Sequence, residues 1–277
     1  MNRIKFLPGL AVVLCVPGVV VRALHMLNGF DVATGLPAVG GAWVWYFTAF
    51  LLIAAAAYAV LAWPLRARRE QPFEQLLGTQ NTMFRMLAVI SGLLLAVGGA
   101  GYLYLTLTTV EQDAAAWARV LELVYAVVTV LCGVCAIGLA KAQGGEITET
   151  SANLTLVPLI WSCLHLLVNY RMTCVDPKLA SFAFGLVADV MLVLACYHLA
   201  RLLYGKPRPA LLGFCSACAV TMAVSDMGGY GLARLMGVAA PAWSDKMVLR
   251  GVLSVAACVL VAAELFVLCR GAQQEQV

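Results

Sequence analysis

Eight apolar stretches divide the chain, at about 6–24, 42–63, 84–106, 116–139, 153–171, 179–203, 209–230 and 247–269, separated by short polar segments. Each is too long for a buried strand. At about 1.5 Å per residue, each can cross the roughly 30 Å hydrocarbon core of a bilayer as a helix. The pattern predicts an all-α fold, a polytopic membrane helix bundle of about eight transmembrane helices. No polar run is long enough to fold separately, so residues 1–277 are read as a single integral membrane domain.

The polar positions that interrupt this pattern concentrate in the fifth and sixth spans. In the fifth, Trp161, His165 and Asn169 recur every fourth residue after Pro158; in the sixth, Asp189, Tyr197 and Arg201 are read as one face. Ionisable groups at such depth are costly and mark functional positions by default. The short turn from Met172 to Lys178 makes the two spans antiparallel neighbours. His165 and Asp189 then differ by roughly 6 Å in depth and are expected to meet in the bundle interior, directly or through one water. The fourth span opens with Arg119 and Glu122, read as an i, i+3 pair, above a small and polar stripe of Ala126, Thr129 and Gly133. The candidate polar intramembrane site is therefore His165, Asp189, Asn169, Trp161, Glu122 and Arg119. No catalytic residue and no metal ligand is assigned.

Small residues set the expected packing. Ala88, Gly92, Ala96 and Ala100 ridge the third span, and Gly213, Ala217, Thr221, Ser225 and Gly229 ridge the seventh. Such ridges let helices approach closely where lipid removes the hydrophobic drive to associate. These spans also share a local likeness, GGAGYL at 98–103 against GGYGLA at 228–233, which points to a four-plus-four duplication with halves 1–145 and 146–277.

Composition agrees with the pattern: 63% hydrophobic and 12% charged residues lie outside the soluble range. The net charge of +4 comes from basic residues at span ends, where they set orientation and meet lipid headgroups, so nucleic acid is not an expected partner. Of 18 Lys and Arg, 11 fall on the side of the termini, led by Arg66, Arg68 and Arg69, and 7 on the other. This predicts a cell-membrane protein with both termini cytoplasmic. The N-terminus, with Arg3 and Lys5 ahead of a run broken by Pro17 and Gly18, is read as an uncleaved first span. Arg22 is expected to snorkel to the outer surface, with Asp31 close enough in sequence to pair with it or with His25. Pro72, Phe73, Leu76 and Leu77 predict a short helix resting on lipid, while Glu264 and Asp226 are read as reaching the interfaces.

Nine of the 10 cysteines fall within or at the edges of apolar segments, so no disulfide framework is expected. A four-thiolate site can be drawn from Cys132, Cys135, Cys215 and Cys218, but packing is the reading adopted, because cysteine serves well as a small apolar residue. His165 and His198 lie toward opposite faces of the membrane, so no bis-histidine haem, and no cofactor of any kind, is assigned. Hydrolase, zincin and phosphate-loop motifs are absent, which lowers the expectation of an enzyme. The leading functional expectation is a small permease or membrane subunit of a transporter. The alternatives are a quinol-binding anchor of a respiratory oxidoreductase and a non-catalytic sensor or scaffold. Expected partners are the lipid bilayer and other membrane or cytoplasmic subunits.

Overall fold

The computed structural model describes residues 2–31, 33–71, 73–79, 81–109, 116–142, 153–174, 179–237 and 242–274. Its helices are α1 (Phe6–Asn28), α2 (Trp43–Ala62), the short α3 (Phe73–Leu77), α4 (Thr82–Thr108), α5 (Ala116–Ala142), α6 (Leu156–Thr173), α7 (Leu179–Leu203), α8 (Pro209–Leu235) and α9 (Asp245–Gln274). No strand occurs among the described residues. Local chemistry sets the helix ends. The Asn81 side chain caps α4 by accepting from Met83 N–H at 2.9 Å. Gly205, at φ 70°, follows α7 in the left-handed conformation that ends helices, and Pro209 opens α8.

Seven of these helices are long and apolar enough to cross a membrane: α1, α2 with its 3-10 extension to Arg68, α4, α5, α7, α8 and α9. This is a multi-pass membrane protein. The expected fifth span, α6, is not among the seven, because its 18 residues include His165, Asn169 and Arg171. It is held instead between α5 and α7, with His165 and Trp161 buried.

Ile4 and Leu7 share a buried cluster with Leu265, Leu268 and Cys269, so the beginning of α1 and the end of α9 lie at one face of the bundle, the near face. Met26, Tyr230 and Ala233 pack together at the far face. At the centre is α8, packed by α1, α2, α7 and α9. In the most apolar windows of α8 and α9, 67% and 72% of the residues are buried, against 22% for α2.

The ridges explain this closeness. All five ridge residues of α8 are buried, and Thr221 donates to the Ala11 carbonyl of α1 at 3.1 Å while meeting the Tyr58 hydroxyl of α2 at 2.6 Å. On α4 the ridge is shorter than expected: Ala88 and Gly92 are buried, but Ala100 is exposed. There α4 crosses α5, and a Cβ built on Gly92 would sit 2.6 Å from the Gly133 carbonyl oxygen. A backbone atom cannot yield as a side chain can. Gly92→Ala is therefore expected to cost about 1–3 kcal/mol and Gly92→Leu to abolish monodisperse yield. Gly101→Ala, whose Cβ would meet Leu249 only at 3.8 Å, should melt like wild type in detergent.

Two near-face expectations are corrected. Phe73, Leu76 and Leu77 of α3 do not rest on lipid; they are buried against the bundle, because α9 offers an apolar wall, while Pro72 lies outside the described residues. Glu264 is likewise buried and does not reach the interface.

Candidate functional site

Five side chains tie α6, α7 and α9 together in the far half of the bundle. His165 Nε2 lies 3.3 Å from Asp189 Oδ1. Asn169 Nδ2 donates to Asp189 Oδ2 at 2.6 Å, and its own Oδ1 accepts from Arg250 Nε at 2.6 Å, which fixes the orientation of the amide. Ser254 Oγ donates to Asp189 Oδ1 at 2.9 Å. His165 and Asp189 are buried, at 0% and 3% exposure, so the two residues meet inside the bundle.

On the other side of the imidazole, the Tyr125 hydroxyl lies 2.7 Å from His165 Nδ1. Both neutral tautomers are served. With the proton on Nδ1 the ring donates to Tyr125 and accepts from Asn169, 3.0 Å from Nε2; with the proton on Nε2 it faces Asp189 and accepts from the tyrosine hydroxyl. Such a ring can take a proton at one nitrogen and release it at the other. Trp161 stacks on it at 4.9 Å and donates its indole N–H to Thr129 at 2.9 Å, holding the ring plane.

The network continues along α9. Lys246, Arg250 and Ser254 recur at every fourth position and so share a face. Arg250 donates to the Tyr102 hydroxyl at 3.0 Å, Tyr102 donates to Glu122 at 3.1 Å, and Lys246 pairs with Glu122 at 2.8 Å. The expected Arg119–Glu122 pair is thereby corrected: Glu122 turns inward to Lys246, and Arg119 is exposed. Asp189, Tyr197 and Arg201 do not share a buried face either. Tyr197 is exposed, since eight residues at about 100° each leave it well rotated from Asp189.

A second cluster is one that sequence reasoning missed. Arg22 does not snorkel. It is fully buried, pairs with Asp226 at 2.7 Å, bonds to His25 Nδ1 at 2.7 Å, and lies under the rings of Phe47 and Phe184 at 5.4 and 5.1 Å. Glycine makes the room: a Cβ on Gly229 would strike the Arg22 side chain, and one on Gly185 would come within 2.8 Å of Asp226 Oδ2. Asp31, expected near Arg22, instead accepts from Ala33 N–H and the Thr34 hydroxyl in the exposed loop. These bonds hold its carboxyl below the usual carboxylate range.

The two clusters share a cleft of about 70 Å³ where α7 and α9 diverge beside α8. Asp189 and Arg250 from one cluster and Asp226 from the other reach its wall, with Phe182, Met227 and Trp243 as apolar lining. The Trp243 indole N–H is enclosed yet makes no hydrogen bond to another described residue. Around the cleft, three buried cations (Arg22, Lys246, Arg250) face three buried carboxylates (Asp189, Asp226, Glu122), so the layer is charge-balanced. Elsewhere the cysteines are free, and no group of three His, Cys, Asp or Glu among the described residues is placed to hold a metal. A signal for part of this was present in the sequence: the four-residue ladder Lys246, Arg250, Ser254 matches the fifth-span ladder in period. No protein-family model, no curated protein and no solved structure gives a match to this chain.

Proposed function

We propose that the protein resides in the cell membrane with both termini cytoplasmic and binds a lipid-soluble hydroquinone in the far-face cleft, as the quinol-binding membrane subunit of an oxidoreductase. The observation that carries this reading is the one-sidedness of the polar layer. The connected network of Glu122, Arg250, Asp189 and His165 lies in the far half, whereas the near half, although it buries Arg68, His198 and Glu264, is packed mainly with apolar side chains including Leu7, Leu65, Leu199 and Leu268. Quinol oxidation needs proton release on one side only. The cationic near-face segment Arg66 to Arg69 supports the orientation.

In this reading Asp189 accepts a hydrogen bond from one ring hydroxyl and Arg250 and the free Trp243 N–H hold the opposite oxygen. Loss of two protons and two electrons converts the hydroquinone to quinone. The first proton passes to the Asp189–His165 pair and the second to Asp226, the other carboxylate on the cleft wall, while the two electrons pass one at a time to a partner redox subunit carrying a one-electron centre. The enclosed space holds only a few waters, so the ring enters by displacing the flexible thioethers of Met227 and Met247.

Titrating detergent-purified protein with decylubiquinol should quench tryptophan fluorescence, and Trp243→Phe should lose most of that signal. Asp189→Asn keeps the side-chain shape and is expected to bind roughly tenfold more weakly, the loss of one charged hydrogen bond. Equal quenching in all three proteins would refute the assignment. A permease stands second, favoured by the two carboxylates of one cleft. It requires a route through the near-half apolar packing and predicts flux, read by a trapped pH dye in proteoliposomes.

A further inference from the structure

On the near face, the end of α2, the 3-10 turn Trp63–Arg68 and the connection from α7 to α8 enclose a second cavity of about 740 Å³. Arg66 and Arg69 line one wall, and Arg201, Lys206 and Arg208 line the other; the single carboxylate among the lining residues is Glu70. The floor is apolar, formed by Ala59, Ala62, Leu211 and Phe214. Among the described residues these five cations form no ion pair, unlike Arg22 and Lys246 of the far face. Arg66 lies over the Trp63 ring at 4.5 Å and Arg201 over Tyr197 at 5.6 Å, contacts that hold a guanidinium in place and leave its N–H edge free to bind. Below the cavity, α2 presents Leu52, Ile53 and Val60, each strongly exposed, as an apolar track down the bundle.

Excess cations above an apolar floor, at the level where a transmembrane helix ends, match a molecule with a phosphodiester head and acyl chains. We infer that this cavity is a site for an acidic phospholipid. Its phosphate is clamped between Arg66 and Arg69 on one side and Arg201 and Arg208 on the other, and its chains lie along α2 and Phe214. A zwitterionic lipid brings its own ammonium among the arginines and is disfavoured. A free phosphate gains the charge but not the apolar floor.

The test is lipid binding to the full-length, detergent-purified and delipidated protein, read by native mass spectrometry and thermal melting. The probes are dioleoylphosphatidylglycerol, dioleoylphosphatidylcholine and inorganic phosphate. Wild type should retain one phosphatidylglycerol and melt higher with it, and neither effect should appear with phosphatidylcholine or phosphate. Arg66→Gln/Arg208→Gln should weaken phosphatidylglycerol binding roughly tenfold or more, since each juxtamembrane cation contributes about 1 kcal/mol to anionic-lipid attraction. Lys5→Gln/Lys141→Gln removes two exposed near-face cations outside the cavity and should change binding less than about twofold. All four side chains are exposed, so both variants should melt like wild type without lipid. Equal losses in the two variants would reduce the effect to general surface charge and overturn the site. Equal stabilisation by phosphatidylcholine, or by phosphate alone, would overturn the assignment of an acidic lipid.

Discussion

Arg22→Met is expected to destabilise the folded protein by about 3–5 kcal/mol, the cost of leaving Asp226 as an uncompensated charge in a low-dielectric interior. The reasoning is local. Arg22 is fully buried, its guanidinium meets Asp226 at 2.7 Å and His25 Nδ1 at 2.7 Å, and Asp226 has only the small cleft, with room for a few waters, from which to recover its lost bonds. Asp226→Asn alone should cost less than Arg22→Met, because the amide oxygen still accepts from the guanidinium. The double variant Arg22→Met/Asp226→Asn removes both charges and should be more stable than the sum of the single losses by at least about 1 kcal/mol, since partners in contact do not add. Thermal melting in detergent, or unfolding by a graded denaturing detergent, supplies all four corners of the cycle. Strict additivity would show that the pair contributes nothing as a pair.

The spans were legible because hydrophobic runs report burial in lipid directly: α7 and α9 begin within two residues of their expected starts. The meeting of His165 with Asp189 was legible for a local reason, since a short connection forces α6 and α7 together and helical period aligns the rest. The Arg22–Asp226 pair was not, because its members lie 204 residues apart and each, taken alone, sits near a span end where snorkelling is the ordinary outcome. What decides against snorkelling is glycine on the partner helices, at Gly229 and Gly185, which leaves space inside for the guanidinium and the carboxylate. The same holds for Lys246 and Arg250. Counted by sequence as outer-surface cations, they turn inward because Glu122 and Asn169, on other helices, offer acceptors at 2.8 and 2.6 Å. Composition reveals a charge and its depth, but which neighbour neutralises it is set by tertiary packing. The hydropathy of α6 misleads in the opposite sense. Its polar residues lower the score of a helix whose polar face is enclosed by α5 and α7.

Asp189→Ala is expected to be the most damaging change in the cleft, and comparison with two milder variants separates a structural role from a functional one. The carboxylate takes bonds from Asn169 and Ser254 and faces His165, and the Asn169 amide in turn orients Arg250. Alanine strands all of these groups in the interior, so a loss of about 3 kcal/mol or more is expected, together with loss of hydroquinone binding. Asp189→Asn preserves shape: its oxygen at the Oδ2 position can still accept from Asn169, and its nitrogen at the Oδ1 position donates toward His165 or the Ser254 hydroxyl oxygen. Its stability should fall by no more than about 1 kcal/mol, while binding weakens. His165→Gln keeps a hydrogen-bonding chain toward Tyr125 and Asn169 but cannot relay a proton from one nitrogen to another. Decylubiquinol should therefore still bind to it within about threefold of wild type, a difference under 1 kcal/mol. If the cleft oxidises hydroquinone as proposed, the rate of electron transfer from decylubiquinol to a one-electron acceptor should fall by at least tenfold, in the range expected for losing a positioned proton acceptor, about 10²–10⁴. If the cluster only ties helices together, the binding of all three variants will follow their melting temperatures. If it handles protons, His165→Gln will separate rate from both stability and affinity, because only the second nitrogen of the ring has been removed from the path.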